Sequence, residues 1–276
     1  MANPPPSLRY IALPRGLSDR TAGSPVRISF SATQAVPDGS AQLHQLWRLE
    51  LPTGELTPGP IVGEVLDLRY APGGSGRLAF LVRGGGLFVL DGFLASRPTW
   101  VDGEVSSFDF ARDGTLVYAK VERRSNPSGR AVAAVRIGVV EPDRSAPSNV
   151  RSRTIGQLNL RGFAVRGWRL IAWGVRGGRE QALVWSARGG GPRRAPGLRL
   201  TPRAKSAAGF WVLGRSSSSL GLPGTPSDPA HLAVAGDLAI WAEGEGLVVA
   251  SLGRPRTYQV TLPPRFPKPI GPIAAA

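Results

Sequence analysis

The side chains with the widest chemical reach in this sequence are its arginines. Of 34 basic residues, 31 are Arg, and they are unevenly spread. Residues 151–215 carry 14 basic side chains against one acid, Glu180, a local charge of +13; residues 1–150 sum to +2 and residues 216–276 to zero. The dense stretch includes Arg176, Arg179, Arg188, Arg193, Arg194, Arg199, Arg203 and Lys205, and ARGGGPRRAPGLRLTPR at 187–203 reads as an exposed basic loop. Outside it, Arg83, Arg123, Arg124 and Arg130 stand in Gly- or Ser-bearing turns. Guanidinium forks match carboxylates and phosphates. The cluster therefore suits an acidic surface on another protein or macromolecular complex, a phosphodiester backbone, or peripheral contact with anionic lipid. Trp168, Trp173, Trp185 and Trp211 interleave with the charge, as base-stacking residues would. An RRM-type aromatic pair in a basic strand is missing. The plain alternative is a biased genome composition, since Gly, Ala and Pro are abundant too.

Catalytic constellations are sparse. The sequence has no cysteine, which removes disulfides, thiolate metal sites and cysteine nucleophiles. Its two histidines, His44 and His231, lie far apart in sequence with no metal-ligand spacing around them. No Gly-x-Ser-x-Gly elbow occurs, and GGLFVLDG is a glycine turn before a strand, with no helix to receive a phosphate. Asp67 and Asp109 read as equivalent positions of two repeats and could pair as acid and base for glycoside or phosphoester hydrolysis. Hydrogen bonding to neighbouring turns is the simpler role for them. No cofactor is expected.

These residues are carried by short strands. Gly 36 and Pro 26 make the chain turn-rich, while 42% hydrophobic residues give it enough to bury a core. VLDLRYAPGGSGRLAFLVRGGGLFVLDG at 65–92 reads strand, Gly turn, strand, second turn, strand, and the same order recurs at 106–141, 156–187 and 230–252. The second strand of each copy holds an aromatic residue, Phe80, Tyr118, Trp173 or Trp241, expected in the core. A poorer copy at 26–50 offers Phe30, and AGFWVLGR near Trp211 suggests a sixth. Self-similarity at this spacing points to propeller blades, because a radial stack covers both faces of each sheet. A β-sandwich is the competing all-β reading. A strand near 8–13 or near 258–262 could close the ring.

The pair LDLRYAPGGSGRLAF and SFDFARDGTLVYA resembles the Ser-Pro-Asp-Gly-x-x-Leu/Ile-Ala-Phe unit of TolB-type β-propellers, relatives of the WD-repeat propellers. Asp113-Gly114 fills the Asp-Gly, Ala111-Arg112 stand where Ser-Pro would, and Tyr118 takes the Phe position. Ala71-Pro72-Gly73-Gly74 keep the Pro and one Gly; Val165-Arg166-Gly167 and Val234-Ala235-Gly236 retain a shortened turn. No copy ends in the Trp-Asp of WD repeats. The resemblance implies an all-β propeller of five or six four-stranded antiparallel blades, and a rigid interaction platform as often as an enzyme.

The expectation is therefore one propeller domain over 1–276, with Pro-rich extended termini at 1–25 and 263–276. Its function would be that of a noncatalytic binding or structural subunit, with nucleic-acid binding and propeller hydrolysis as alternatives. MANPPPSLRYIALPRG lacks a signal-peptide h-region, which favours the cytoplasm unless a leader has been removed.

Overall fold

The computed structural model describes residues 9–35, 42–93, 97–125, 131–144, 147, 149–155, 158–196, 201–205, 211–214, 232–244, 246–252, 256–263, 266 and 268–276. Among them the strands form five sheets, each built on an antiparallel meander, the fourth with one added parallel pair. Blade 1 contains β1 (Arg9–Tyr10), β2 (Val26–Ala35), β3 (Gln42–Leu51) and β4 (Glu55–Val62), with the helix α1 (Arg15–Thr21) between β1 and β2. Blade 2 is β5 (Val65–Tyr70), β6 (Arg77–Val82), β7 (Gly86–Asp91) and β8 (Thr99–Asp102). Blade 3 is β9 (Ser107–Phe110), β10 (Leu116–Ser125), β11 (Ala131–Val140) and β12 (Asn149–Ile155).

Blade 4 is β13 (Asn159–Arg166), β14 (Arg169–Arg176), β15 (Arg179–Ser186) and β16 (Gly189–Arg194), extended beyond β13 by β17 (Thr201–Lys205) and β18 (Trp211–Gly214). Blade 5 is β19 (Ala233–Ala235), β20 (Leu238–Glu243), β21 (Gly246–Ser251) and β22 (Thr257–Thr261). The last strand, β23 (Lys268–Ala275), returns to blade 1 and pairs antiparallel with β2 from Ile28↔Ala275 to Thr33↔Lys268. The fold is a β-propeller.

Stacking of the sheets builds the core. Leu46 and Ala274 of blade 1 meet Leu68 and Phe80 of blade 2; Leu87 and Val101 of blade 2 meet Phe108 and Tyr118 of blade 3. Val117 and Val135 of blade 3 meet Phe163 and Trp185 of blade 4, and Ile240 and Val249 of blade 5 meet Phe30 and Leu49 of blade 1, where Leu17 of α1 also inserts. Each contact buries apolar area on two sheets at once, the favourable term a lone meander cannot collect. Tyr118 pairs across the strands with Gly138, and a Cβ at that glycine would sit inside the Tyr118 ring. Glycine there is what allows the ring to lie flat over β11.

The four repeated aromatics are not equivalent. Phe80 and Tyr118 face the preceding blade, and Trp241 lies on the face of its sheet turned away from blade 1. Trp173 points the other way: its neighbours Leu170 and Ala172 pack toward blade 3, and it joins Ile171 and Val184 on the opposite face, half-buried. Its strand alternation is shifted by one residue, and a one-residue shift moves every side chain to the other face. Phe163 and Trp185, with ring centroids 6.1 Å apart, fill the junction in its place.

Several other expectations are corrected. Residues 189–194 of the expected basic loop are an outer strand, anchored by Arg193↔Val184, Arg194↔Leu183 and a bond from Ala195 N to Ala182 O of 3.0 Å. Glycine and proline carry no alternation, so the need of β15 for a partner is not visible in their side chains. The N-terminal region holds a helix at 15–21 instead of extended chain, and the extended C-terminal region contains the ring-closing strand. Residues 257–261 form the outer strand of blade 5, and Arg9–Tyr10 add to the outer edge of β4. The suspected sixth blade does not form a separate sheet among the described residues: β18 pairs parallel to β13 through Gly162↔Trp211 and Phe163↔Val212.

Candidate functional site

The propeller has two rims. One carries the turns from first to second and from third to fourth strands; the other carries the second-to-third turns and the links between blades. The basic residues of blade 4 are divided among three places. Arg176 and Arg179 face each other across the β14–β15 turn and are exposed on the second rim. Arg188 stands in the β15–β16 turn on the first rim. Arg193 and Arg194 are the last two residues of β16, the outermost strand, all six residues of which are exposed. Arg203 and Lys205 belong to β17 at the opposite edge of the same sheet. Arg123 and Arg124 fall at the end of β10, whereas Arg130, Arg199 and His231 lie outside the described residues. One continuous basic loop is thus replaced by a basic outer edge with separate outliers.

Two of the sequence-predicted arginines are neutralised. Arg83 donates through Nε and Nη2 to Glu64 Oε2 and Oε1 at 2.5 and 2.9 Å. The hydrogen bond from Arg83 holds the Glu64 carboxyl below the usual range against a smaller burial penalty. Arg188 donates to Asp113 Oδ2 at 2.8 Å while its guanidinium lies 4.2 Å from the Trp168 ring centroid. Trp168 Nε1 donates to the same oxygen at 3.2 Å. Burial would raise Asp113, but the Thr115 bonds, Trp168 and Arg188 together pull it below its ordinary value. The Asp of the Asp-Gly turn is therefore a latch from blade 3 to blade 4, and Trp168 is half-buried beneath its arginine. Glu64 was missed by sequence reasoning because it is 19 residues from Arg83; only the strand pairing brings them together.

The innermost strands hold a second charged group. Asp67 forms an ion pair with Arg69 at 3.3 Å and accepts the Leu68 N–H at 2.9 Å. Asp109 accepts the Phe110 N–H through Oδ1 and the Gly167 N–H through Oδ2, each at 3.0 Å, while Ser107 Oγ accepts the Val165 N–H at 3.0 Å. Side chains of β9 thus satisfy backbone donors of β13 and of the β13–β14 turn in the next blade. Asp67 and Asp109 are not at equivalent positions. Asp67 precedes Leu68, the partner of Phe80, whereas Asp109 follows Phe108, the partner of Tyr118.

Burial pushes the Asp109 carboxyl up, with Asp67 adding to it and Arg69, Arg166 and the Gly167 N–H opposing. A folded-state value above the unfolded one means that this group's contribution to stability is present at low pH and is lost as pH rises above its ordinary 3.8 and through the raised value. The stability difference between Asp109→Asn and wild type is accordingly expected to favour Asn more at pH about 8 than at pH about 3, on the low side of the ordinary value. Urea titrations at both pH values measure it; an unchanged difference would contradict the burial effect.

Among the described residues no group of three or more His, Asp or Glu could hold a metal, and no helix is long and apolar enough to cross a membrane. His44 lies in β3, 3.4 Å from Thr33 Oγ1.

No family model and no curated protein matches the sequence. Similar solved structures exist. A chain of the nidogen/laminin complex aligns over 91% of this chain and 98% of its own length, with 13% identity and a TM-score of 0.51. AztD of Citrobacter koseri aligns over 91% and 98%, with 9% identity and a TM-score of 0.47. The Pyrococcus horikoshii acylaminoacyl peptidase aligns over 86% of this chain and 44% of the peptidase, with 9% identity and a TM-score of 0.47. At such identities the likeness is one of fold. A fold of this kind does not by itself choose between binding and catalysis.

Proposed function

We propose that this propeller is a noncatalytic binding or structural subunit of a larger assembly, docking an acidic protein surface through the outer edge of blade 4. The observation that carries this reading is β16. All six of its residues are exposed, and Arg193 and Arg194 have no ion-pair partner among the described residues. Arg179, exposed at the rim of the same sheet, extends the charge. Ala195 N bonds inward to Ala182, so by strand alternation the position of Pro192 faces the open side, where proline has no N–H to offer. Strand addition is thereby discouraged, and recognition falls to the arginine side chains. A propeller of similar form in the nidogen/laminin complex is in keeping with a protein-binding role.

The test compares polyglutamate with single-stranded RNA by fluorescence anisotropy at about 50 mM salt, using wild type and Arg193→Glu/Arg194→Glu. Polyglutamate binding weakened about tenfold or more by the double reversal supports the reading. Tighter RNA binding with a steep salt dependence would replace it with the nucleic-acid alternative, and no binding to either would overturn it.

One observation favours a second reading. A carboxyl raised by burial, Asp109, stands electrostatically coupled to Asp67, which is paired with Arg69. That asymmetry is what an acid and base need for hydrolysis of glycosides or phosphoesters. Turnover of such substrates, reduced about a hundredfold or more in both Asp67→Asn and Asp109→Asn, would establish it; absence of turnover would end it.

A further inference from the structure

Large apolar side chains are exposed at six places among the described residues, and four of them share one region. Leu43 and Ile61 lie at the second-rim ends of β3 and β4, next to the His44↔Val62 and Gln45↔Ile61 pairs. The β4–β5 link carries Glu64 and leads directly into Leu66. Arg83 N donates to Glu64 O at 2.8 Å, and in the same β6–β7 turn Gly85 O accepts the Trp100 Nε1–H at 3.2 Å. Hydrogen bonds and chain continuity thus run from Leu43 to Trp100 along one rim of blades 1 and 2. Ile61 is 62% exposed and Trp100 55%. Paired strands hold both in place, so burying them costs less ordering than burying loop residues.

We propose that this rim is a two-fold interface with a second copy of the chain, in which Leu43, Ile61, Leu66 and Trp100 are buried around exchanged Arg83–Glu64 pairs. Charge selects the occupant. A two-fold axis brings each surface against itself, so a patch at such an axis must be self-complementary. The Arg83–Glu64 pair presents both signs side by side, with side chains 65% and 45% exposed. Each arginine could meet the partner copy's carboxylate without any new charge.

The wider field argues the same way. The chain carries +15 and resists self-association. Residues 42–104, which hold the rim, carry seven acidic and five basic side chains, a net of −2. Two copies joined there keep their basic fourth blades away from the contact. This interface is separate from the blade 4 edge, so each can fail without the other.

Sedimentation equilibrium of the full chain between about 1 and 100 µM tests the proposal. A monomer–dimer equilibrium is expected. Glu64→Arg or Arg83→Glu alone should weaken the dimer tenfold or more, by placing like charges across the axis, and the combined exchange should restore it. Ile61→Asp, on an exposed side chain, should weaken it with no change in thermal melting, which separates loss of contact from loss of fold. A monomer throughout that range overturns the proposal. So does a dimer indifferent to these substitutions, or open-ended oligomers abolished by Arg193→Glu/Arg194→Glu, which would indicate head-to-tail contact between unlike charges.

Discussion

Deleting Lys268–Ala276 is expected to abolish the closed ring. These residues supply the first strand of a blade whose other strands come from the opposite end of the chain. The join runs from Thr33↔Lys268 to Ile28↔Ala275 and is extended by Arg27 N to Ala276 O at 2.8 Å and Ala276 N to Arg27 O at 3.0 Å. Consecutive side chains serve two junctions: Ile273 packs in the core between blades 5 and 1, and Ala274 in that between blades 1 and 2. Buried isoleucine is worth about 1.5–3 kcal/mol, and each net backbone hydrogen bond about 1 kcal/mol. Their sum approaches the roughly 5–15 kcal/mol that stabilises a typical domain. The deletion should leave β2 with an open edge and a chain that no longer unfolds cooperatively. Circular dichroism melts of the truncated chain measure this, and a peptide spanning 266–276 added in trans should restore the transition. A truncated chain that melts like wild type would mean that closure does not depend on β23.

Arg77→Met is expected to cost about 3–5 kcal/mol, from the loss of several charge-assisted hydrogen bonds worth about 1.5–3 kcal/mol each, offset in part by hydration of the exposed Asp91. Arg77 is 5% exposed, a rarity for arginine. Its Nη1 donates to Glu141 O at 3.0 Å and Pro142 O at 2.7 Å, its Nη2 to Arg144 O, and its Nε lies 2.9 Å from Asp91 Oδ1. The guanidinium of blade 2 thereby donates to three carbonyls in the β11–β12 connection of blade 3; methionine would remove these bonds, leaving Glu141 O with the Arg144 N–H at 3.1 Å. At about 2–4 °C per kcal/mol for a chain near this size, the melting temperature should fall by about 10 °C. Arg77→Lys should recover only part of it, since an ammonium lacks the planar fork that reaches several acceptors. Equal stability of the lysine variant and wild type would contradict that geometry.

Neither effect could be anticipated from local pattern. Arg77 sits at the mouth of an ordinary Gly-Ser-Gly turn, and its carbonyl acceptors are more than 60 residues away. The C-terminal PKPIGPIAAA looks like a tail because proline and alanine carry no strand alternation; what makes it a strand is the open edge of β2. The same logic applies to β16, whose GGGPRR has no apolar face and is strand only because β15 offers it backbone partners.

The sequence by itself determined that the protein is built of repeated β-meanders, where their Gly-bearing turns fall, and that its excess charge is concentrated in one quarter of the chain. Those properties are local: apolar alternation, Asp113-Gly114 and the scarcity of acids over 151–215, where Glu180 stands alone, act within a few residues. Tertiary structure decided which strand closes the ring, which face Trp173 occupies, and which arginines remain available. Arg83 and Arg188 read as free cations until Glu64 and Asp113 are brought against them by strand pairing and blade stacking. Coulomb energy depends on distance in space, and a linear sequence does not contain the distances between residues of different blades.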